Sequence, residues 1–148
     1  MHNPVILQSG IRTRSPLPAK PAATRVLVVD DDPGISLLLT RLLAREGFSV
    51  EAFTESTGAL ARLASAPALF EALVTDHDMP RMCGSELIDC ARAAGFRGKV
   101  ILHSGSVYGD GSAEKLRRVD AALEKPLGMR SLVPTLRRLL AMDTQACA

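Results

Sequence analysis

The chain has 148 residues, 47% apolar and only 3% aromatic, with a formal charge of +2. That length implies one domain whose core is built from Leu, Val, Ile and Ala. The near-neutral charge removes the electrostatic case for direct nucleic-acid binding, and no run approaches the ~18 apolar residues that cross a membrane.

Residues 1–24 carry Pro4, Pro16, Pro18 and Pro21, the basic residues Arg12, Arg14 and Lys20, and no acid. They read as a flexible N-terminal tail. A basic, acid-free leader resembles a transit peptide, but the prolines oppose an amphipathic helix, and a secretory signal's apolar segment is missing. From Arg25 the chain alternates strands and helices. Arg25 to Asp30 is a continuous apolar run ending in acid, the mark of a strand buried on both faces. The helix that follows is punctuated by Asp32 at the N-cap, Pro33 at N1 and Gly47 at C′. Its apolar face is expected to hold Ile35, Leu38, Leu39, Leu42 and Leu43. Phe48–Phe53 reads as a second strand and Glu55–Ser65 as a second helix, with Leu60 and Leu63 inward and Pro67 beyond its end.

Ala72–Asp76 is the third strand, Gly84–Ala94 the third helix, closed by Gly95, and Lys99–Ser104 the fourth strand. A glycine-rich loop over 105–111 leads to a short helix, Ser112–Val119, and a short strand, Ala121–Glu124. The last helix runs to about Ala141, with Leu132, Leu136, Leu139 and Leu140 inward. Ser131 is expected to cap it, leaving Pro134 in the tolerant first turn. The alternative is a start near Met129 with a kink at Pro134. Residues 25–141 then form one domain and 142–148 a C-terminal stub.

This order predicts an α/β fold, a (βα)5 doubly wound parallel sheet. In such sheets sites gather at the carboxyl ends of the strands. There stand Asp30-Asp31-Asp32, Asp76-His77-Asp78, Ser104 and Lys125-Pro126. Two carboxylates ~4 Å apart repel by roughly 4 kcal/mol at an effective dielectric near 20, so a divalent cation and a lysine are the expected counter-charges. His103 lies inside a strand and reads as a satisfied core histidine. His77 reads as a solvent-facing residue beside the pocket, and neither histidine has zinc-site spacing. Cys83, Cys90 and Cys147 lack CxxC spacing and read as free thiols, which places the chain in the cytoplasm.

In order along the chain come Val28-Val29-Asp30-Asp31-Asp32-Pro33, Asp76-x-x-Met79-Pro80-x-Met82-x-Gly84, Ser104-Gly105 and Lys125-Pro126. With these motifs, residues 25–141 resemble the receiver domain of two-component response regulators. The resemblance implies a flavodoxin-like fold with strand order 2-1-3-4-5. It implies that Asp76 accepts a phosphoryl group and that Asp30, Asp31, Asp76 and the Asp78 backbone carbonyl hold Mg²⁺. Lys125 then contacts a phosphate oxygen, Ser104 is the switch hydroxyl, and Lys125-Pro126 is a site where the family often has a cis bond. The implied phosphodonor is a sensor histidine kinase or a histidine phosphotransfer protein. With no output module in the sequence, the target is a partner protein, expected at the last two helices, where a homodimer could also form. Arg117, Arg118, Arg130, Arg137 and Arg138 concentrate there.

The chain departs from the family at Ala122, where an aromatic residue usually stands. Tyr108 is the one candidate substitute. Two other readings stand beside the phospho-switch. Asp76-His77-Asp78 also resembles the DxD of haloacid-dehalogenase-like phosphohydrolases, although there the DxD opens the domain. The third reading is a receiver-like interaction module that is never phosphorylated.

Overall fold

The computed structural model describes residues 22–126 and 128–146. The tail over residues 1–21 and Cys147 lie outside the described residues. The strands are β1 Arg25–Val29, β2 Ser49–Phe53, β3 Ala72–Thr75, β4 Lys99–Ser104 and β5 Ala121–Glu124. The helices are α1 Pro33–Arg45, α2 Ser56–Ser65, α3 Gly84–Ala93, α4 Ser112–Arg117 and α5 Met129–Ala146. All strand pairs are parallel, and the sheet order is β2-β1-β3-β4-β5. Fold class and strand order are those expected from the sequence.

The continuous apolar runs of β1 and β3 are buried on both faces. Val26, Val28, Ala72, Val74 and Ile101 pack with Leu39 and Leu43 of α1 and Leu132 and Leu136 of α5. Leu27, Val29, Leu73 and Val100 pack with Ala59 and Leu63 of α2 and Leu87, Ile88 and Ala91 of α3. The period-2 alternation of a strand produces both cores from the same residues. The edge strand β2 is only half-buried, which matches its partial alternation.

Asp32 caps α1, its Oδ1 accepting the Gly34 and Ile35 N–H at 2.8 and 3.3 Å. Gly47 ends that helix with φ 95°. The Gly47 N–H donates to the Ala44 carbonyl and the Phe48 N–H to the Leu43 carbonyl, both at 3.1 Å, which satisfies two orphan carbonyls of the last turn.

Three sequence expectations need correction. Leu38 is 49% exposed, like Leu37 beside it, whereas Ser36 is buried. At about 100° per residue, Ile35, Ser36, Leu39, Leu42 and Leu43 span one arc, and Leu38 falls outside it. The inward face is therefore rotated towards Ser36. Second, α5 starts at Met129 rather than behind a Ser131 cap, and Pro134 lies inside it. The Ser131 N–H instead bonds the Gly128 carbonyl at 3.0 Å, so the helix is already wound there. The proline removes a donor that the carbonyl of Arg130 would have used, but both residues are exposed and water replaces the bond. Third, α5 continues to Ala146, so most of the expected stub is helical, while α4 stops two residues short of Val119.

The β3–α3 connection brings the start of α3 against the backbone after β3. A Cβ on Gly84 would overlap the Asp76 carbonyl oxygen and lie 2.9 Å from the His77 Cα. Gly84→Ala is therefore expected to destabilise the fold by about 1–3 kcal/mol, read as a Tm roughly 3–15 °C lower. An unchanged melting temperature would show that this loop yields freely.

Candidate functional site

Strand alternation decides which side chains meet at the carboxyl edge. Asp30 continues the Val26–Val28 parity, Asp76 continues Ala72–Val74, and Lys125 continues Ala121–Leu123. All three therefore lie on the face covered by α1 and α5. β1 and β3 are neighbours in register, with Val29 opposite Thr75, so Asp30 and Asp76 leave the sheet side by side. The chain reverses its direction across the sheet at β1, which makes this the topological switch point.

One carboxylate oxygen from each of Asp30, Asp31 and Asp76 lies within 4.8 Å of the others. Asp30 and Asp76 are buried, and Asp31 is exposed. The Lys125 Nζ reaches across from β5 to Asp30 Oδ2 at 2.7 Å and Asp76 Oδ2 at 3.2 Å. Backbone donors hold the remaining oxygens. The Asp32 N–H donates to Asp30 Oδ1 at 2.9 Å, and the His77 N–H to Asp76 Oδ1 at 2.7 Å. Lys125 and Pro126 are joined by a cis peptide bond.

Burial is the main force that pushes the Asp76 carboxyl above its ordinary range. The Asp30 charge adds to it, while Lys125 and the His77 N–H oppose it. Burial alone would lower the Lys125 ammonium, but Asp30 and Asp76 together raise it. Three carboxylates against one ammonium leave the basin negative. Its side-chain donors are all hard carboxylate oxygens, a set that suits Mg²⁺ or Ca²⁺ and not zinc.

Ser104 is buried, but its parity with Val100 sends it to the opposite face of the sheet. Its Oγ accepts the Ser106 N–H at 3.4 Å, and its carbonyl accepts the Lys125 N–H at 2.9 Å. Asp78 is exposed in the β3–α3 loop. Tyr108 is 72% exposed, so its ring does not fill the space that Ala122 leaves. His77 is half-buried rather than solvent-facing. Its Nδ1 lies 3.4 Å from Ser85 Oγ in a groove of about 280 Å³ shared with Lys115 of α4.

His103 is buried, but neither ring nitrogen meets a hydrogen-bond partner among the described residues, so it is not the satisfied histidine expected from the sequence. Two features had no sequence signal. Arg81 takes a positive φ of 68° in the β3–α3 loop. Arg118 holds α4 to α3 through Asp89 at 2.9 Å.

The family description "response regulator receiver domain" matches residues 26–137. Response regulator MprA of Mycobacterium bovis (strain BCG / Pasteur 1173P2) is 33% identical over 122 residues, covering 80% of this chain and 51% of that protein. MprA of Mycobacterium avium (strain 104) is 33% identical over 120 residues, covering 78% and 50%. The chain thus spans about half the length of the curated relatives it matches.

Among solved structures, a CheY-like response regulator receiver domain protein from Methanospirillum hungatei JF-1 superposes with a TM-score of 0.77 at 27% identity, covering 84% of this chain and 99% of that one. Vibrio cholerae chemotaxis protein CheY4 gives 0.71 at 26%, covering 80% and 99%. These matches leave no place for the haloacid-dehalogenase-like reading of Asp76-His77-Asp78. On the motifs, the sheet order and these relatives together, the chain belongs to the response regulator receiver domain family of two-component signalling.

Proposed function

We propose that this domain is a phospho-accepting switch in which Asp76 receives a phosphoryl group with Mg²⁺ bound at Asp30, Asp31 and Asp76. The observation that carries this reading is the Lys125 ammonium lying between Asp30 and Asp76, at 2.7 and 3.2 Å, with Asp31 in reach. An Asp76 oxygen attacks phosphorus, the bond from phosphorus to the donor's imidazole nitrogen breaks, and an acyl phosphate forms. A Mg²⁺ held by Asp30, Asp31 and Asp76 would supply positive charge against the transferring phosphoryl oxygens. Lys125 moves from its carboxylate partners to a phosphate oxygen, a job that suits a point charge on a flexible stem. The Asp78 backbone carbonyl would be the remaining protein ligand to that ion. Ser104, the last residue of β4, would swing over the strand end from its own face to reach the phosphoryl group, and Gly105 leaves the room, since a Cβ there would meet nothing within 4 Å.

The donor in this reading is a histidine kinase or a histidine phosphotransfer protein. Leu37 and Leu38, both half-exposed in the first turns of α1, offer an apolar contact beside the acidic basin. The output is a protein contact at α4, β5 and α5, the surface through which a homodimer would also form. Arg118 is already paired with Asp89 and Glu114, and Arg137 with Glu46. Arg117, Arg130 and Arg138 have no ion pair among the described residues, so they are the cations that a partner would meet.

Incubation with Mg²⁺ and acetyl phosphate is expected to give a single labile phosphate adduct in the intact mass. The adduct should vanish on chelation and in Asp76→Asn. No adduct under any condition would instead identify a silent interaction module. Lys125→Ala should still bind Mg²⁺ but lose most of its phosphorylation rate, and an unchanged rate would remove Lys125 from the chemistry.

Asp76→Asn should also melt higher than the parent at neutral pH, because it removes one of three converging charges. The sign follows from the raised pKa. The folded state favours protonated Asp76, so the carboxyl costs stability once pH rises through its folded pKa. The gain in Tm should therefore shrink as pH falls. A gain that does not change with pH would assign it to packing.

A further inference from the structure

His103 sits one residue before Ser104 on β4, on the same face as Lys125 and Asp30. It is 1% exposed, and neither Nδ1 nor Nε2 meets a hydrogen-bond partner among the described residues. Below it on that face, away from the carboxyl edge, its neighbours are aliphatic. Ile101 precedes it by two residues, Leu123 is its register partner on β5, and Val74 lies opposite Ile101. A leucine or valine would fill such a place without leaving a buried polar atom unmet. A buried polar group without a partner costs stability and calls for an explanation.

The charges acting on the ring are the Lys125 ammonium and the Asp30 carboxylate. Burial comes first and Lys125 second in holding the imidazole below its ordinary range, with Asp30 opposing. The ring is therefore neutral at pH 7, with one N–H and one open lone pair. Lys125 has three N–H donors and directs two of them, to Asp30 and Asp76. Its shorter bond, 2.7 Å, goes to Asp30. Asp30 also belongs to the carboxylate group that could take a cation. Ammonium and metal thus draw on the same carboxylate, and two cations there repel. A cation loaded there would loosen the shorter of the two bonds that hold the resting Lys125.

We propose that His103 is a positioning residue for Lys125, its free ring nitrogen accepting a Lys125 N–H once a divalent cation draws on Asp30. The inference rests on the metal-dependent phospho-acceptor reading and deepens it. The unmet nitrogen is a cost in the resting protein and a bond in the loaded one. That difference shifts the population towards the loaded state. It also keeps the ammonium aimed over the strand ends, where a phosphoryl oxygen on Asp76 would meet it, instead of releasing it to solvent.

The test compares parent, His103→Leu and His103→Gln by thermal melting without metal, by Mg²⁺ titration with and without beryllofluoride, and by ¹⁵N shifts of the parent's ring. Metal-free His103→Leu should melt at or above the parent temperature, since it removes the unmet nitrogens. Its Mg²⁺ affinity should nevertheless fall about three- to tenfold, the value of one hydrogen bond. His103→Gln, which keeps an acceptor, should recover most of that affinity. In the parent, one ring nitrogen should shift on Mg²⁺ addition as it gains a donor. Unmoved ring shifts, or equal Mg²⁺ affinity in parent and His103→Leu, would overturn the role of His103 and leave the phospho-acceptor reading standing. A parent that binds no Mg²⁺ at all would overturn both.

Discussion

One ammonium stands between two buried carboxylates, and the arrangement of the whole carboxyl edge follows from it. Asp30 and Asp76 are brought together by the pairing of β1 with β3, and Asp31 follows Asp30 in the chain. Like charges this close repel by several kcal/mol. Lys125 offsets part of that repulsion from β5, two strands beyond β3. The Asp32 and His77 N–H groups offset more by bonding one oxygen of each buried carboxylate. The balance remains negative, and burial, with a smaller contribution from the Asp30 charge, keeps the Asp76 carboxyl above its ordinary range despite Lys125. A site that is not neutralised from within is a site prepared for an external cation.

The surrounding fold serves that arrangement through close backbone packing more than through large side chains. The N-cap of Asp32 fixes where α1 begins and so where Asp30 and Asp31 point. Gly84 lets α3 start against the Asp76 carbonyl, and the Gly84 N–H returns to the His77 carbonyl at 2.8 Å. The β3–α3 loop is thereby held from both ends. α4 is held differently. None of its residues is buried, and its tie to α3 is the Arg118–Asp89 ion pair. The firm half of the edge carries the carboxylates, and the loosely held half lies beyond Ser104.

Much of this was legible in the sequence, for identifiable reasons. Continuous apolar runs named β1 and β3 because only strands covered on both faces tolerate them. Asp32-Pro33 and Gly47 located both ends of α1 because their backbone chemistry suits so few other places. The site emerged because acids and a lysine closed consecutive apolar runs. What was not legible depended on relative rotation and partnership. Leu38 and Ser36 differ by two positions on a continuous helix, and only the packing of β1 and α5 decides which is inward. The start of α5 depended on Gly128 fitting against the Glu124 carbonyl, a close backbone approach in the turn after β5 that apolar periodicity does not announce. His103 looked like an ordinary strand residue because a histidine's partners cannot be read from its neighbours in sequence. Strand position alone put Ser104 at the carboxyl edge, and only the register shows that it closes β4 on the other parity from Asp76.

That last separation has a consequence for how such a domain can change over evolutionary time. The aliphatic layer beneath Asp30, Asp76 and Lys125 and the layer beneath Ser104 share a backbone but no side chains. A substitution confined to the second layer touches none of the side chains of the first. A lineage can thus rework one side of the sheet while the acidic edge over the other stays fixed, and the two halves can age at different rates within one small protein.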